Sequence, residues 1–409
     1  MSKIMAVNSG SSTLKWKLYE MPDERVIAKG MVDRLGLTNS TFIVQIDTQK
    51  ISQVVNIPDH VTAVNMMLDK LIDLKIINSY DEITGVGHRV VAGGSIFKDS
   101  VVVTSKVVQQ IKSLSEFAPL HNPSQAAGME AFHKLMPNVP QVAVFDTAFH
   151  QTMSPVNYLY SIPYEYYKDF GVRKFGAHGT SHRYVSQKAA TFLQKPLKDL
   201  KIISCHLGSG ASIDAIEDGK SIDTSMGFTP VGGITMSTRS GDIDPSLITF
   251  LMRKLHITDT TKMDKILNTK SGLLGISGVS PDMRDILKTR KENKRSDLAY
   301  KIYLNRIVKR IGSYIPEMHG LDVMIFTAGT GENNSKIRAD IANNFNYMGI
   351  KIDQAINEEG KGIRIISSKD STVKVMVVPT DEELMIVKDV LRLTDNESKQ
   401  KNIQLENAS

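Results

Sequence analysis

A single cysteine, Cys205, stands in a chain of 409 residues. That scarcity excludes an internal disulfide and any four-cysteine metal site, and it fits a reducing compartment. No apolar run approaches the roughly 18 residues that a membrane span needs. The apolar stretch at 4–7 stops at Asn8, which gives no secretory signal and points to the cytoplasm. Excess charge of one sign is also scarce: 50 basic and 44 acidic residues leave a net charge of +6. No basic block is interleaved with aromatics. The densest basic run, 288–295, carries Glu292 and reads as a solvated linker or helix face. The chain therefore shows no nucleic-acid footprint.

What is present is a pair of short Gly/Ser-rich turns. The first, Asn8-Ser9-Gly10-Ser11-Ser12-Thr13, lies between strand-like runs at 4–7 and 14–19. The second, His206-Leu207-Gly208-Ser209-Gly210-Ala211-Ser212, lies between runs at 202–205 and 213–216. A tight hairpin of small residues presents several N–H groups and hydroxyls to one point, a concavity that favours phosphate. Neither turn has the Walker pattern or the dinucleotide pattern G-x-G-x-x-G, and an ordinary hairpin would explain either one alone. Two of them, on two halves of a chain long enough for two domains, suggest a nucleotide held in a cleft between related domains.

The rest of the chain supports two halves. Short runs of β-formers at 4–7, 14–19 and 41–46 read as strands. Val64, Met67, Leu68, Leu71 and Ile72 have helical spacing and predict a helix over 62–74. Runs at 83–86 and 142–145 read as buried strands ending in Gly87-His88-Arg89 and Asp146-Thr147. Polar residues at the exit of a buried strand are where α/β sites are built. A helix is predicted over 124–135. After residue 150 the pattern restarts with strands at 201–205 and 212–216, then 323–327 and 373–378. A last helix is predicted over 384–391, followed by a polar tail expected to fray.

Several residues stand out by chemistry. Arg89 follows a buried strand and Arg239 lies in a Ser/Thr/Gly-rich loop. A guanidinium can take two oxygens of a carboxylate or phosphate; it can also make an ordinary surface ion pair. His178 and His182 are four apart, but Gly-Thr-Ser intervene and no Glu is present, which rejects a zinc-protease helix. The alternative is a turn or helix start with structural hydrogen bonds. Asp146 could orient an arginine or a metal-bound water, or cap a turn. Cys205, in a buried strand, reads as core rather than nucleophile.

In order along the chain stand Val7-Asn8-Ser9-Gly10-Ser11-Ser12, Gly87-His88-Arg89-Val90-Val91, Phe145-Asp146-Thr147-Ala148-Phe149-His150 and His178-Gly179-Thr180-Ser181-His182. There follow His206-Leu207-Gly208, Met226-Gly227-Phe228-Thr229-Pro230, Thr238-Arg239-Ser240-Gly241-Asp242, Phe326-Thr327-Ala328-Gly329 and Thr380-Asp381-Glu382-Glu383-Leu384. Together they resemble the acetate kinase family, within the wider group of acetate and sugar kinases, actin and heat-shock ATPases. The resemblance implies an α/β fold of two duplicated, ribonuclease H-like and actin-like βββαβαβα domains with a central cleft. Residues 1–148, joined by a C-terminal helix at about 384–409, would form the N-terminal domain, and 149–383 the nucleotide-binding domain. It also implies reversible transfer of the ATP γ-phosphoryl group to acetate, giving acetyl phosphate and ADP, with magnesium or alternatively manganese, in a homodimer.

The resemblance places Asp146, His178 and Arg239 in catalysis, with His178 on the phosphoryl group in transit. It places Arg89, Val91, Leu120 and Pro230 at acetate, and Asn8 and Glu382 at the metal. Lys15, His206, Leu207, Gly208, Ser209 and Gly210 fall at the nucleotide phosphates. Asp282, Met283 and Arg284, with Gly329, Thr330, Gly331, Glu332 and Asn333, fall around the adenosine. For Glu382 the other reading is a favourable charge in a helix first turn, about 0.3–1 kcal/mol; for Lys15 it is a solvated strand face.

Phosphoryl transfer is mostly positioning and charge neutralisation. Acetate, with a pKa of about 4 to 5, is already ionised at pH 7 and needs no base. The site must instead bring a carboxylate and a polyanion together, which calls for arginines, a metal and neutral donors. Five residues depart from the family pattern: Ala92 for His, Ala177 for an aromatic, Ser209 for Asn, Ser237 for Gly and Thr330 for an apolar residue. Ala177 is expected to widen the methyl pocket, so a propionate or other short-chain carboxylate kinase is one alternative. A weakly active nucleotide-binding paralogue is another.

Overall fold

The computed structural model describes residues 1–119 and 121–406, with side chains described to residue 395; Leu120 lies outside the described residues. The chain forms two compact units, Met1–Ala148 with Asp381–Ser409, and Phe149–Thr380. Each is built on one mixed sheet.

In the first unit the strands are β1 (Ser2–Ser9), β2 (Thr13–Met21), β3 (Arg25–Asp33), β4 (Ser40–Ile46), β5 (Gln49–Val55), β6 (Ile83–Val90), β7 (Val101–Val102) and β8 (Gln141–Phe145). Their order is β5-β4-β3-β2-β1-β6-β8-β7. β1 pairs antiparallel with β2 on one side and parallel with β6 on the other, and β6 pairs parallel with β8. Alternation sets the faces: on β2, Leu14, Trp16 and Leu18 are buried while Lys15 is exposed and Lys17 half-buried. β3 was not among the strands expected from sequence. Gly30 interrupts its pattern, and the structure gives the reason: a Cβ there would lie 2.6 Å from the Trp16 ring and would strike the Ile43 carbonyl.

The second unit repeats the plan with β9 (Ile202–Leu207), β10 (Ala211–Glu217), β11 (Lys220–Thr224), β12 (Val323–Thr327), β13 (Arg364–Ile365) and β14 (Lys374–Val377), ordered β11-β10-β9-β12-β14-β13. β9 holds the place of β1, with an antiparallel hairpin on one side and two parallel strands on the other. Each Gly/Ser turn is closed by a glycine N–H, over three residues in the first and two in the second: the Gly10 N–H donates to Thr13 O at 2.7 Å, and the Gly208 N–H donates to Gly210 O at 3.1 Å. The fold is thus α/β, with one six-strand order built twice and extended by β4 and β5 in the first unit.

The last helix runs Glu382–Glu406, well past the expected 384–391. Its far end has no apolar periodicity to betray it, but Glu, Lys, Gln and Leu are good helix formers. Its near end lies against β6. A Cβ on Gly85 or Gly87 would come within 2.6 and 2.9 Å of the Val390 methyls. Two glycines on one face of β6 therefore let the helix approach, and that face continues to Arg89.

The other face of β6 carries His88, which is 2 % exposed and packs edge-on against Phe132 at 5.3 Å. Turned so that its nitrogen donates to His88 Nε2 at 2.7 Å, the Gln141 amide also accepts the His133 N–H at 3.1 Å. Burial pushes His88 down to about 4 from 6.5. The unfolded chain therefore binds a proton near pH 6.5 that the folded chain refuses until about pH 4. Stability must fall as pH drops through that window, by on the order of 3 kcal/mol. Urea midpoints at pH 7 and 4.5 are expected to differ less in His88→Gln than in the parent; equal slopes would refute this.

Candidate active site

In the first unit, β6 and β8 end side by side, with Val90 opposite Phe145 and the Asp146 N–H donating to Val90 O at 2.9 Å. This register brings the side chains just before and just after the strand ends together. Arg89 donates to Asp146 Oδ2 from Nε at 3.0 Å and from Nη2 at 2.6 Å. Asp146 is 1 % exposed, and its charge is the main cause that raises the Arg89 guanidinium above its ordinary value. The helix start adds Glu382, whose Oε2 lies 4.0 Å from Arg89 Nε. Burial pushes Glu382 up to about 7; Arg89 and Lys17 oppose this, and Asp146 and Glu383 reinforce it. Lys17, which sequence reasoning missed, bridges Asp381 at 3.2 Å and Glu383 at 3.1 Å. Asn8, next to last on β1, pairs with Lys15 and makes no side-chain hydrogen bond among the described residues.

The chain after Arg89 is fixed by two buried amides. The Val91 N–H donates to Gln125 Oε1 at 3.1 Å, and the Ala92 N–H donates to Asn122 Oδ1 at 3.2 Å. Val91, Ala92 and Ala118 form a small apolar cluster backed by Phe117. Asn122 and Gln125 were also missed. They open the helix Asn122–Leu135, and nothing in a helix start distinguishes a cap from a clamp on another segment.

In the second unit, His178 precedes the helix Gly179–Leu193 in a left-handed conformation, φ 65°. The spacing of His178 and His182 is thus a helix start. The His178 ring stacks on His206 with centroids 4.2 Å apart and planes at 18°. Each ring is pinned at Nδ1 by a serine hydroxyl: His178 by Ser212 at 2.8 Å, His206 by Ser181 at 2.8 Å. Ser212 is the register partner of His206 across β9 and β10. A methyl on Gly210 would lie 3.3 Å from both His178 Nε2 and Arg239 Nη1, so both groups converge on the second Gly/Ser turn. Arg239 Nη1 donates to Pro230 O at 3.4 Å. Its loop is tied to the turn by the Ser237 N–H, which donates to Ser209 O at 3.2 Å.

A cavity of about 680 Å³ opens beside this turn. Gly208, Ser209 and Gly210 line it with Arg239, Asp282, Met283, Arg284, Gly329, Thr330 and Asn333, together with Tyr303 and Asn334, which sequence reasoning missed. Asp282 caps the helix Met283–Thr289 and pairs with Arg284 at 2.5 Å. Leu207 is buried in the core, and the Glu332 side chain accepts the Thr380 N–H at 3.2 Å instead of facing the cavity. The buried Arg338 donates to Gly331 O at 2.9 Å and Glu332 O at 2.8 Å, holding that segment from behind. Lys15 stands exposed on β2 of the first unit. Ala177 is 4 % exposed and belongs to the cluster of Cys205, Leu207 and Ala211. Burial pushes the Cys205 thiol far up, which makes it an inert core group.

The arrangement gives one carboxylate-anchored arginine and one phosphate-shaped turn with two imidazoles and a second arginine. Residues 3–388 match the family model of the acetokinase family. The acetate kinase of Enterococcus faecalis is 56 % identical over 96 % of this chain and all of its own length. That of Bacillus subtilis is 54 % identical over the same shares. The crystal structure of Porphyromonas gingivalis acetate kinase superposes with a TM-score of 0.92 at 44 % identity, covering 96 % of this chain and 100 % of that one. A propionate kinase from Francisella tularensis reaches 0.90 at 38 % identity over the same shares. With nearly its whole length matched in sequence and fold, the chain belongs to the acetokinase family.

Proposed function

We infer that the chain is an ATP-dependent acetate kinase, transferring the γ-phosphoryl group reversibly to acetate. The observation that carries this reading is the convergence of His178 Nε2 and Arg239 Nη1 on the Gly208–Gly210 turn, beside a cavity of nucleotide size. Arg89 spends Nε and Nη2 on Asp146; Nη1 makes no hydrogen bond among the described residues, which suits it to the acetate carboxylate. Asp146 orients Arg89; a general base is not required for an acceptor that is already an anion. Arg239 and His178 stabilise the charge of the transferring group, and the turn with His206 holds the phosphates. Asp282, Met283, Arg284, Gly329, Thr330 and Asn333, which line the cavity, hold the adenosine.

The residues fit a magnesium ion, which binds through few protein oxygens and keeps its waters. Glu382 is desolvated, and its arginine contact is long. Asn8 offers an uncommitted amide. When bound, the ion neutralises phosphate charge; Asn8 and Glu382 would hold it. Among the described residues no helix is long and apolar enough to cross a membrane, and we place the enzyme in the cytoplasm. Exposed apolar side chains on the second unit, Val156, Tyr166, Phe170, Phe250 and Leu255 among them, support a homodimer. Sedimentation at micromolar concentration is expected to give twice the chain mass of 45.3 kDa; a monomer would count against it.

The reading is tested with ATP and acetate, propionate or butyrate, trapping the acyl phosphate with hydroxylamine. Acetate is expected to give the highest kcat/KM, with each added methylene costing or gaining about 1–3 kcal/mol according to the room available. Absence of any acyl phosphate would sink the assignment. A preference for propionate would show a methyl pocket widened at Ala177.

A further inference from the structure

Ser212 stands between two imidazoles. Its Oγ lies 2.8 Å from Nδ1 of His178 and 2.7 Å from Nε2 of His182. The other nitrogen of His182, Nδ1, lies 2.9 Å from Ser204 Oγ. Ser204, His182 and Ser212 are fully buried. Burial, helped by His150 and His206, holds His182 well below the usual imidazole range. It is therefore neutral, with one N–H and one bare nitrogen, and each serine has one proton to give.

Such a chain has two polarities. In the first, Ser204 donates to Nδ1 of His182, Nε2–H of His182 donates to Ser212, and Ser212 donates to Nδ1 of His178. A neutral His178 then carries its proton on Nε2. In the second, every donor reverses: Nδ1–H of a cationic His178 donates to Ser212, Ser212 to Nε2 of His182, and Nδ1–H of His182 to Ser204. Nε2 of His178 is protonated in both, the second state holding one proton more than the first. A neutral His178 with its proton on Nδ1 also fits the second polarity and would leave Nε2 bare, so the neutral enzyme must rest in the first.

The ring is also held against turning. It stacks on His206, and its backbone is clamped from the preceding residue. Ala177, between the left-handed Gly176 and His178, offers its carbonyl to His150 Nε2 at 3.2 Å. His150 Nδ1 is in turn seated on Ser221 at 2.8 Å and Asp214 at 3.2 Å, all buried. With the ring fixed, the position of its proton is the variable left to control.

We propose that Ser204, His182 and Ser212 are positioning residues, a hydrogen-bond chain of reversible polarity that keeps a proton on Nε2 of His178 in its neutral and its cationic form. His178 thereby presents an N–H donor toward the Gly208–Gly210 turn throughout turnover. The proposal rests on the reading of His178 as the residue facing the phosphoryl group.

The test uses the full chain. Ser212→Ala is expected to lower kcat about 10- to 100-fold, the worth of one buried hydrogen bond misdirected, with both KM values within about threefold. His182→Leu is expected to match it. His182→Gln, whose amide can still donate to Ser212, is expected to stay within about fivefold of the parent. Two-bond 1H–15N spectra of 15N-histidine protein, assigned with His178→Ala, are expected to show His178 protonated at Nε2 in the parent and mixed in Ser212→Ala. A neutral Nδ1–H form of His178 in the parent, or an unchanged kcat in Ser212→Ala, overturns the proposal. Near-parental turnover in His178→Ala would instead overturn the reading of His178 itself, so the two failures are distinct. The parent spectrum decides the question even where a variant fails to fold.

Discussion

Arg239→Ala is expected to lower kcat by about 10³-fold or more while leaving nucleotide affinity within a few-fold, since charge stabilisation by an arginine in phosphoryl transfer is worth that much. Pro230 O and Met236 Sδ, two of its acceptors, are neutral. Arg89→Ala is expected to lose as much activity and also stability. Asp146, at 1 % exposed, would be left as a buried carboxylate without its guanidinium. Stranding one partner of a buried pair costs on the order of 3 kcal/mol. The two variants should therefore separate: both slow, but only Arg89→Ala with a clearly lower Tm. Near-parental kcat for either at saturating acetate would refute its role, and equal melting temperatures would refute the dependence of Asp146 on Arg89.

How far these roles could be read from the chain itself depended on where each residue gets its meaning. Arg89 and Asp146 were legible because each follows a buried apolar run, and parallel strands bring such exits together. The turns at Gly10 and Gly208 were legible because small residues between two strand-like runs have few alternatives. Lys17 and Ser212 were not legible. Lys17 matters because β1 pairs Ala6 with Lys17 and the last helix lays Asp381 and Glu383 beside it; Ser212 matters because β10 pairs it with His206. Register is a property of two segments, and neither shows it alone.

Other misses have local causes. The helix Lys294–Glu317 buries Ala299, Tyr300, Tyr303, Ile307, Ile311 and Tyr314 on one face, a clear helical stripe. The basic run 288–295 that introduces it reads as a solvated linker or helix face, which leaves the start of the helix open; its two ends fall in the helices Met283–Thr289 and Lys294–Glu317. At Ala177 the sequence shows a large-to-small change but not whether its neighbours close the space; the residue is buried in a cluster with Cys205 and Leu207, and how far such a site collapses varies from core to core.

A glycine with no motif around it is expected to matter almost as much as the arginines. Gly272 opens the helix Gly272–Ser277 at φ 61°, a conformation that costs an L-residue about 1–2 kcal/mol. A Cβ there would strike the Met236 carbonyl and lie 2.7 Å from Arg239 O and 3.1 Å from Arg239 N. These are backbone atoms and cannot swing aside. The same segment binds the arginine loop by three N–H donors: Ser271 to Thr238 O at 2.9 Å, Leu273 to Met236 O at 2.9 Å and Leu274 to Ser237 O at 3.0 Å. Gly272 thus lets two backbones meet, and the meeting fixes Arg239. Gly272→Ala is expected to cost about 2–5 kcal/mol through strain and overpacking. It should also lower kcat about 100-fold, since a shift of about 1 Å in a catalytic group has that effect. Gly312→Ala is the opposite case: it lies exposed within Lys294–Glu317 with nothing within 4 Å of its added methyl. There the change should stabilise by about 1 kcal/mol through helix propensity, with kcat unchanged. Thermal melts and turnover of the two variants check both signs. If Gly272→Ala melts and turns over like the parent, the loop yields more readily than its backbone contacts allow, and Arg239 is held by something else.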